Sequence, residues 1–193
     1  MSSLAAHGAM GWLAAGKGDR PILIRLAFAA AAVVPDVDYP LEWIFGIRLH
    51  VRYTHSLAFC ALVALVGIAV TRGRTGMPDR SLWRWVAASF SHLALDALVG
   101  VYPEPWLWPF SEVTYRLPFG ILPSAGRLAW GNVYLYRNLA IEAGILLPAT
   151  WLLGLWGALP GKDSRDLRAL GPRTALAAIV LAGFGLWGWS LDR

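Results

Sequence analysis

The stretch WVAASFSHLALDALVG, residues 85–100, decides how this chain folds. It is an apolar run of helical length with two ionisable side chains in its middle, His92 and Asp96. Residues four apart lie on one face of a helix, so the imidazole and the carboxylate share a face. A bare charge in such surroundings is costly, and we therefore expect these groups to be paired, bound to a ligand or lining a wet cavity.

The rest of the chain has the same apolar character. Its 193 residues are 57% hydrophobic and 15% charged, and the mean hydropathy is +0.51. This composition predicts an all-α integral membrane helical bundle that forms one domain, residues 1–193. The net charge of +5 comes largely from basic residues in three short connections, which is the positive-inside pattern. We therefore expect no nucleic-acid partner.

About six helices are predicted, at residues 3–16, 21–35, 55–71, 83–101, 138–159 and 174–190. The first is too short to cross a bilayer and should pair with the second as a short N-terminal helical hairpin, which leaves four full spans. Thr54 is the expected N-cap of the third helix. The segment after the fourth helix is rich in proline and aromatic residues, so a long loop or re-entrant cap is predicted there.

The predicted topology brings distant ionisable groups to one membrane level. With the basic connections in the cytoplasm, residues 36–54 and 102–137 face the extracytoplasmic side of the membrane. The carboxylates and imidazoles expected to meet there are His7, Asp36, Asp38, His55, His92 and Asp96. Such a set favours a bound divalent metal, with zinc preferred, as one ion or two.

Several of these groups also have a purely structural interpretation. His92 and Asp96 could form a hydrogen-bonded pair that joins two helices. The segment PDVD at residues 35–38 could simply end a helix. His50 could be a metal ligand, an acid that contacts the ligands rather than the metal, or a residue at the membrane interface.

Other charged residues leave similar alternatives. Arg52 and Arg116 could bind an anionic substrate such as phosphate, or they could meet lipid headgroups. Glu142 begins the fifth apolar segment and could pair with Arg137 or Arg116.

Four motifs together resemble a known family. They are PDVDYP (35–40), HVRYTHS (50–56), SHLALDALVG (91–100) and WLWPFSEVTYRLP (106–118). Their order is similar to that of the YdjM-like family of inner-membrane, metal-dependent hydrolases, also labelled LexA-binding. Matching positions are His7, Asp36, Asp38, His50, His55, Ser56, His92, Asp96 and Pro109.

The chain departs from the family pattern at two places. Tyr39 stands where the family has a histidine, and Arg52 lies two places after His50 rather than next to it. More distantly, the alternation of His and Asp over several helices is similar to the helical zinc-dependent phospholipase C superfamily, which is a fold-level analogy.

The resemblance implies metal-dependent hydrolysis, and we expect a phosphoester of a lipid or other amphiphile as substrate, with membrane lipids as partners. His50, Arg52 and Arg116 are the predicted catalytic residues. Three alternatives stay open. The chain could be a non-catalytic binding or regulatory protein with a structural metal, a redox protein that binds haem through His55 and His92, or a transporter that relays ions through acidic groups.

Overall fold

The computed structural model describes residues 3–16, 21–47, 52–75, 82–100, 102–124, 130–156 and 164–191. The regular secondary structure of these residues is helical, which confirms the all-α prediction, and residues 102–124 form a loop. The α-helices are α1 (Leu4–Ala14), α2 (Ile22–Val33), α3 (Asp38–Phe45), α4 (Leu57–Thr75), α5 (Leu82–Val99), α6 (Val133–Trp156) and α7 (Ser164–Trp189). Two short 3-10 turns lie at Val34–Val37 and Tyr53–His55.

The helices pack around α5. The α1–α2 hairpin lies against it on one side and α4 on another, while α6 and α7 form a second hairpin that meets α1 through α6. The predicted N-terminal hairpin is thus present. It is tight because α1 has a glycine at the crossing: a methyl group on Gly11 would collide with the backbone of Phe28. The Phe28 ring in turn stacks on Trp85 of α5, with ring centroids 3.9 Å apart.

The first residues of α4 and α6 differ from the prediction, because N-cap side chains set where these helices begin. The hydroxyl of Ser56, rather than the predicted Thr54, caps α4 by accepting the N–H of Phe59 at 3.1 Å. Thr54 instead places its Oγ1 3.1 Å from Nδ1 of His55. At the start of α6, the Asn132 side chain accepts the N–H of Tyr134 at 3.2 Å, so this helix begins earlier than predicted.

Two helical segments were not predicted. The helix α3 forms directly after the PDVD turn, since Pro40 falls in its first turn, where a missing N–H does no harm. It ends at Gly46, whose left-handed φ of 67° suits glycine. The helix α7 begins inside the segment predicted to be a polar connection, which is rich in the strong helix formers Leu, Arg and Ala.

The outer surface carries many exposed apolar side chains. Leu23 is 74% exposed, Leu65 62% and Ile179 68%. None of the helices in the described part of the chain combines the length and the apolar character needed to cross a membrane. The four spans predicted from the sequence therefore stay a prediction.

Candidate metal centre

Four ionisable side chains from three separate segments meet in the interior. Asp36 lies in the 3-10 turn after α2, His55 ends the turn before α4, and His92 and Asp96 lie on one face of α5. All four are buried, and one ligand atom of each lies within 4.8 Å of the others. We call these four residues the metal cluster.

The spacing inside the metal cluster matches a ligand shell better than a hydrogen-bond network. Nε2 of His55 lies 3.4 Å from an oxygen of Asp36 and 3.5 Å from one of Asp96, and Nε2 of His92 also lies 3.5 Å from Asp96. These separations exceed the ~2.7–3.2 Å of ordinary N–H···O bonds. Ligands arranged tetrahedrally at ~2.0–2.1 Å from a zinc ion would lie about 3.3 Å from one another.

The orientation of His92 prepares it for coordination. Its Nδ1 lies 2.8 Å from the carbonyl oxygen of Ala32, so Nδ1 carries the proton and donates it, which leaves the lone pair on Nε2. The buried Nε2 atoms of His55 and His92 point at carboxylate oxygens of the metal cluster and make no hydrogen bond with the described residues. Buried polar atoms without such bonds are destabilising, and a cation between them would satisfy both.

His7 closes the metal cluster from α1. Its ring stacks on His92 with centroids 3.9 Å apart, and its Nε2 lies 3.3 Å from Asp96 Oδ1 and 3.8 Å from Asp36 Oδ2. The structure thus brings His7 to the place where the sequence predicts it. Its role as a further ligand stays a prediction.

The helix that carries His7 is held at its first residues. The Ser3 hydroxyl accepts the N–H of Ala6 as an N-cap, and the Ser3 N–H donates to Oε1 of the buried Glu142 at 2.7 Å. Glu142 therefore joins α6 to α1, and the described contacts include no ion pair between Glu142 and Arg137. Arg137 donates to Asn138 instead, at 3.1 Å.

Asp38 and Arg52 form an ion pair beside the metal cluster. Nε and Nη2 of Arg52 donate to the two oxygens of Asp38 at 2.6 and 3.1 Å, and Nη2 also reaches Asp36 at 3.5 Å. The guanidinium lies over the ring of Tyr39, 4.3 Å from its centroid. Burial raises the pKa of Tyr39 above its usual range, although Arg52 opposes the shift, so the phenol is neutral.

This ion pair gives two predicted residues a definite place. Asp38 lies 3.9 Å from His55 Nδ1, on the outer side of the metal cluster, and its bond to Arg52 fixes it there. Arg52 holds the carboxylates of Asp38 and Asp36 in position. The predicted role of Asp38 as a metal ligand and that of Arg52 in catalysis stay predictions.

The structure says less about the other two predicted catalytic residues, His50 and Arg116. His50 lies outside the described residues. Arg116 is exposed on the loop after α5, directly after Tyr115. Both assignments stay predictions.

Sequence reasoning missed Glu104, a buried acid on the same loop. Its backbone pairs with that of Tyr115 at 2.9 and 2.8 Å, and its Oε2 accepts the indole N–H of Trp106 at 2.9 Å. Burial, followed by the negative charge of Asp96, raises the pKa of Glu104 to about 8. The sequence predicts only a long loop or re-entrant cap here, and the one signal overlooked is an acid placed between two prolines in an aromatic segment.

Removing one member of the metal cluster should abolish tight metal binding. We expect His92→Ala to weaken zinc binding by more than ~100-fold. Mutation of a residue that only hydrogen-bonds to a metal ligand already weakens metal binding by ~10–100-fold. Calorimetric titration of the purified protein with zinc checks this. Glu42→Gln, which alters an exposed acid on α3, is the control and should bind zinc like the wild type. Equal affinity in all three proteins would contradict the assignment.

The Arg52 ion pair should matter most when no cation is bound. We expect Arg52→Gln to destabilise the metal-free protein by on the order of 2 kcal/mol, because it leaves Asp38 and Asp36 uncompensated. The loss should be smaller with zinc present, since the cation supplies the missing positive charge. Thermal unfolding with zinc and with a chelator measures both values, and an equal loss in the two conditions would contradict the prediction.

Comparison with known proteins places most of the chain in one family. Residues 1–163 match the family described as YdjM inner membrane protein. The "Inner membrane protein YbcI" of Escherichia coli (strain K12) is 32% identical over 121 residues, which covers 57% of this chain and 68% of that protein. No solved structure matches.

The family match extends over most of the chain and includes α1 to α6 as well as every residue of the metal cluster. The chain therefore belongs to the YdjM inner membrane protein family.

Proposed function

We propose that this protein is a metal-dependent hydrolase that cleaves a phosphoester of a lipid or another amphiphile at the membrane. The observation that carries the proposal is the metal cluster itself. Two imidazoles and two carboxylates, all buried, direct ligand atoms at a common point from different segments of the chain. A mixed set of nitrogen and oxygen ligands of this kind suits zinc or a similar divalent ion.

The charges around the metal cluster favour a divalent ion over a monovalent one. Asp36, Asp38 and Asp96 bring three carboxylates together, and Arg52 offsets the charge of one. Two negative charges then remain in a buried site, and a divalent cation neutralises both. Neutralisation inside a low-dielectric interior is what makes such a cluster stable.

In this proposal, different residues of the chain have different roles in hydrolysis. Asp36, His55, His92 and Asp96 would hold the ion, and the Ala32 carbonyl keeps His92 in the coordinating tautomer. A bound zinc ion supplies a Lewis acid and lowers the pKa of a coordinated water to ~7. Arg52, fixed by Asp38, would present positive charge to the phosphate oxygens.

Two features support an amphiphilic substrate. The bundle exposes large apolar side chains, which suits contact with acyl chains. The aromatic loop lies against the segment that carries His55: the Trp106 carbonyl accepts the N–H of Leu57 at 2.9 Å, and Trp108 packs on Tyr53 with centroids 4.9 Å apart. Aromatic residues of this kind favour the membrane interface, so a substrate held there would have its headgroup near the metal cluster.

The geometry argues against the haem alternative. The rings of His55 and His92 have centroids only 4.9 Å apart, meet edge to face, and approach the same oxygen of Asp96. Axial ligation needs the two imidazoles on opposite faces of a porphyrin, with the macrocycle between them. The carboxylates occupy that space.

Hydrolysis of lipid phosphoesters tests the proposal directly. Purified zinc-loaded protein is mixed with micelles that contain phosphomonoester and phosphodiester lipids, and released phosphate or headgroup is counted. We expect turnover by the wild type, a loss of at least ~100-fold in Asp96→Asn, and near-normal turnover in Glu42→Gln.

The competing functions give different results in the same experiment. If the wild type binds zinc at the metal cluster but cleaves no ester in the panel, the metal is structural and the hydrolase proposal is wrong. Turnover that persists after chelation, or in Asp96→Asn, would equally contradict it.

A further inference from the structure

The two carboxylates of the metal cluster present their oxygens to two different sides. Nε2 of His55 and Nε2 of His92 each lie 3.5 Å from Oδ2 of Asp96. The same two nitrogens face Oδ1 of Asp36, at 3.4 and 3.9 Å. Nε2 of His7 instead faces the other oxygen of each carboxylate, Oδ1 of Asp96 at 3.3 Å and Oδ2 of Asp36 at 3.8 Å. This division of oxygens is the one that two carboxylates adopt when they bridge neighbouring ions.

The stacking of His7 on His92 sets the spacing between the two sides. The ring centroids are 3.9 Å apart, and the ring planes differ by 20°. Because both rings direct Nε2 at the carboxylates of Asp36 and Asp96, the two nitrogens leave the stack nearly side by side. Metal ions in two-metal sites lie ~3.5–4 Å apart. The two rings are therefore spaced to bind one ion each.

The side of His7 is as deeply buried as the rest of the metal cluster. His7 is fully buried, and Oδ2 of Asp36 is a buried oxygen that makes no hydrogen bond with the described residues. A carboxylate oxygen in such surroundings is costly without a partner. Both distances from His7 Nε2 are shorter than twice the ~2.0–2.2 Å of a zinc–ligand bond, so a single ion can contact both atoms of each pair.

We propose that a second divalent ion binds next to the first, held by Nε2 of His7, Oδ2 of Asp36 and Oδ1 of Asp96. Both carboxylates then bridge the two ions. With three protein ligands, the second ion keeps an open position for water or for a phosphate oxygen. The inference rests on the proposed function and deepens it, because two ions at this spacing hold the attacking and the leaving oxygen of a phosphoester together.

Charge sets the order in which the two ions bind. The carboxylates of Asp36, Asp38 and Asp96, offset by Arg52, leave two negative charges, which the first divalent ion neutralises. The second ion adds two positive charges to a buried site, which is costly until an anion joins it. It should therefore bind more weakly than the first ion, and it gives the site an attraction for an anionic phosphate group.

Counting bound zinc separates this proposal from a structural role of His7. In the structural interpretation, His7 only donates a hydrogen bond to Asp96, and one ion binds. We expect calorimetric titration of the wild type with zinc to show two steps, the second weaker than the first. His7→Ala should lose the second step and keep the first. Glu42→Gln, which changes an exposed acid on α3, is the control and should keep both.

Cobalt(II) in place of zinc tests whether the two ions are neighbours, and it needs no variant. Two high-spin cobalt ions joined by carboxylate bridges couple magnetically, whereas distant ions do not. We expect the electron paramagnetic resonance signal of the wild type at two equivalents of cobalt to be smaller than twice the signal at one equivalent. This measurement decides the question even if His7→Ala does not fold.

The other outcomes overturn the inference, and they separate its failure from that of the proposed function. A single zinc step in the wild type, two steps in folded His7→Ala, or loss of both steps there would exclude the second ion at His7. Cobalt signals that simply double would exclude the carboxylate bridges. In each of these cases the wild type still binds a first ion, so the proposed function stands. A wild type that binds no zinc at all would overturn both.

Discussion

Carboxylates and imidazoles buried among apolar helices need a compensating charge, and this requirement organises the centre of the molecule. Asp36 and Asp96 are almost fully buried, and the imidazoles of His55 and His92 face them at more than hydrogen-bond distance. The Nε2 atoms of His55 and His92 therefore form no hydrogen bond with these carboxylates. A divalent cation would satisfy the imidazoles and the carboxylates together, because it neutralises the carboxylates and accepts the lone pairs of the imidazoles.

The fold meets this requirement with short connections. The α1–α2 hairpin can place His7 next to α5 because Gly11 lets the two helices approach closely. The 3-10 turn after α2 then delivers Asp36, and the Ser56 cap starts α4 immediately after His55. Each candidate ligand thus lies next to the end of a helix or in the middle of α5, where the surrounding helices hold it in place. Rigid support of this kind is what a metal site requires.

Much of the metal cluster could be predicted from sequence because its signal is local. His92 and Asp96 are four residues apart in an apolar helix. The free-energy cost of placing ionisable groups in such surroundings can be recognised from the sequence alone. The Asp38–Arg52 pair and the burial of Glu104 could not be predicted in the same way. Glu104 is buried because Trp106 and Tyr115 hold it, and that contact depends on how the loop folds back on itself. The segment PDVD likewise indicated the end of a helix, although α3 follows it at once and Pro40 fits the first turn of that helix.

X-ray absorption at the zinc edge tests the central claim most directly. The protein is loaded with one equivalent of zinc, and the absorption fine structure reports which atoms surround the ion. The account predicts a shell of nitrogen and oxygen at ~2.0–2.2 Å with the multiple-scattering signature of two imidazoles, and loss of one imidazole in His92→Ala. A shell of water oxygens alone, or one that includes the sulfur of Cys60, would contradict it.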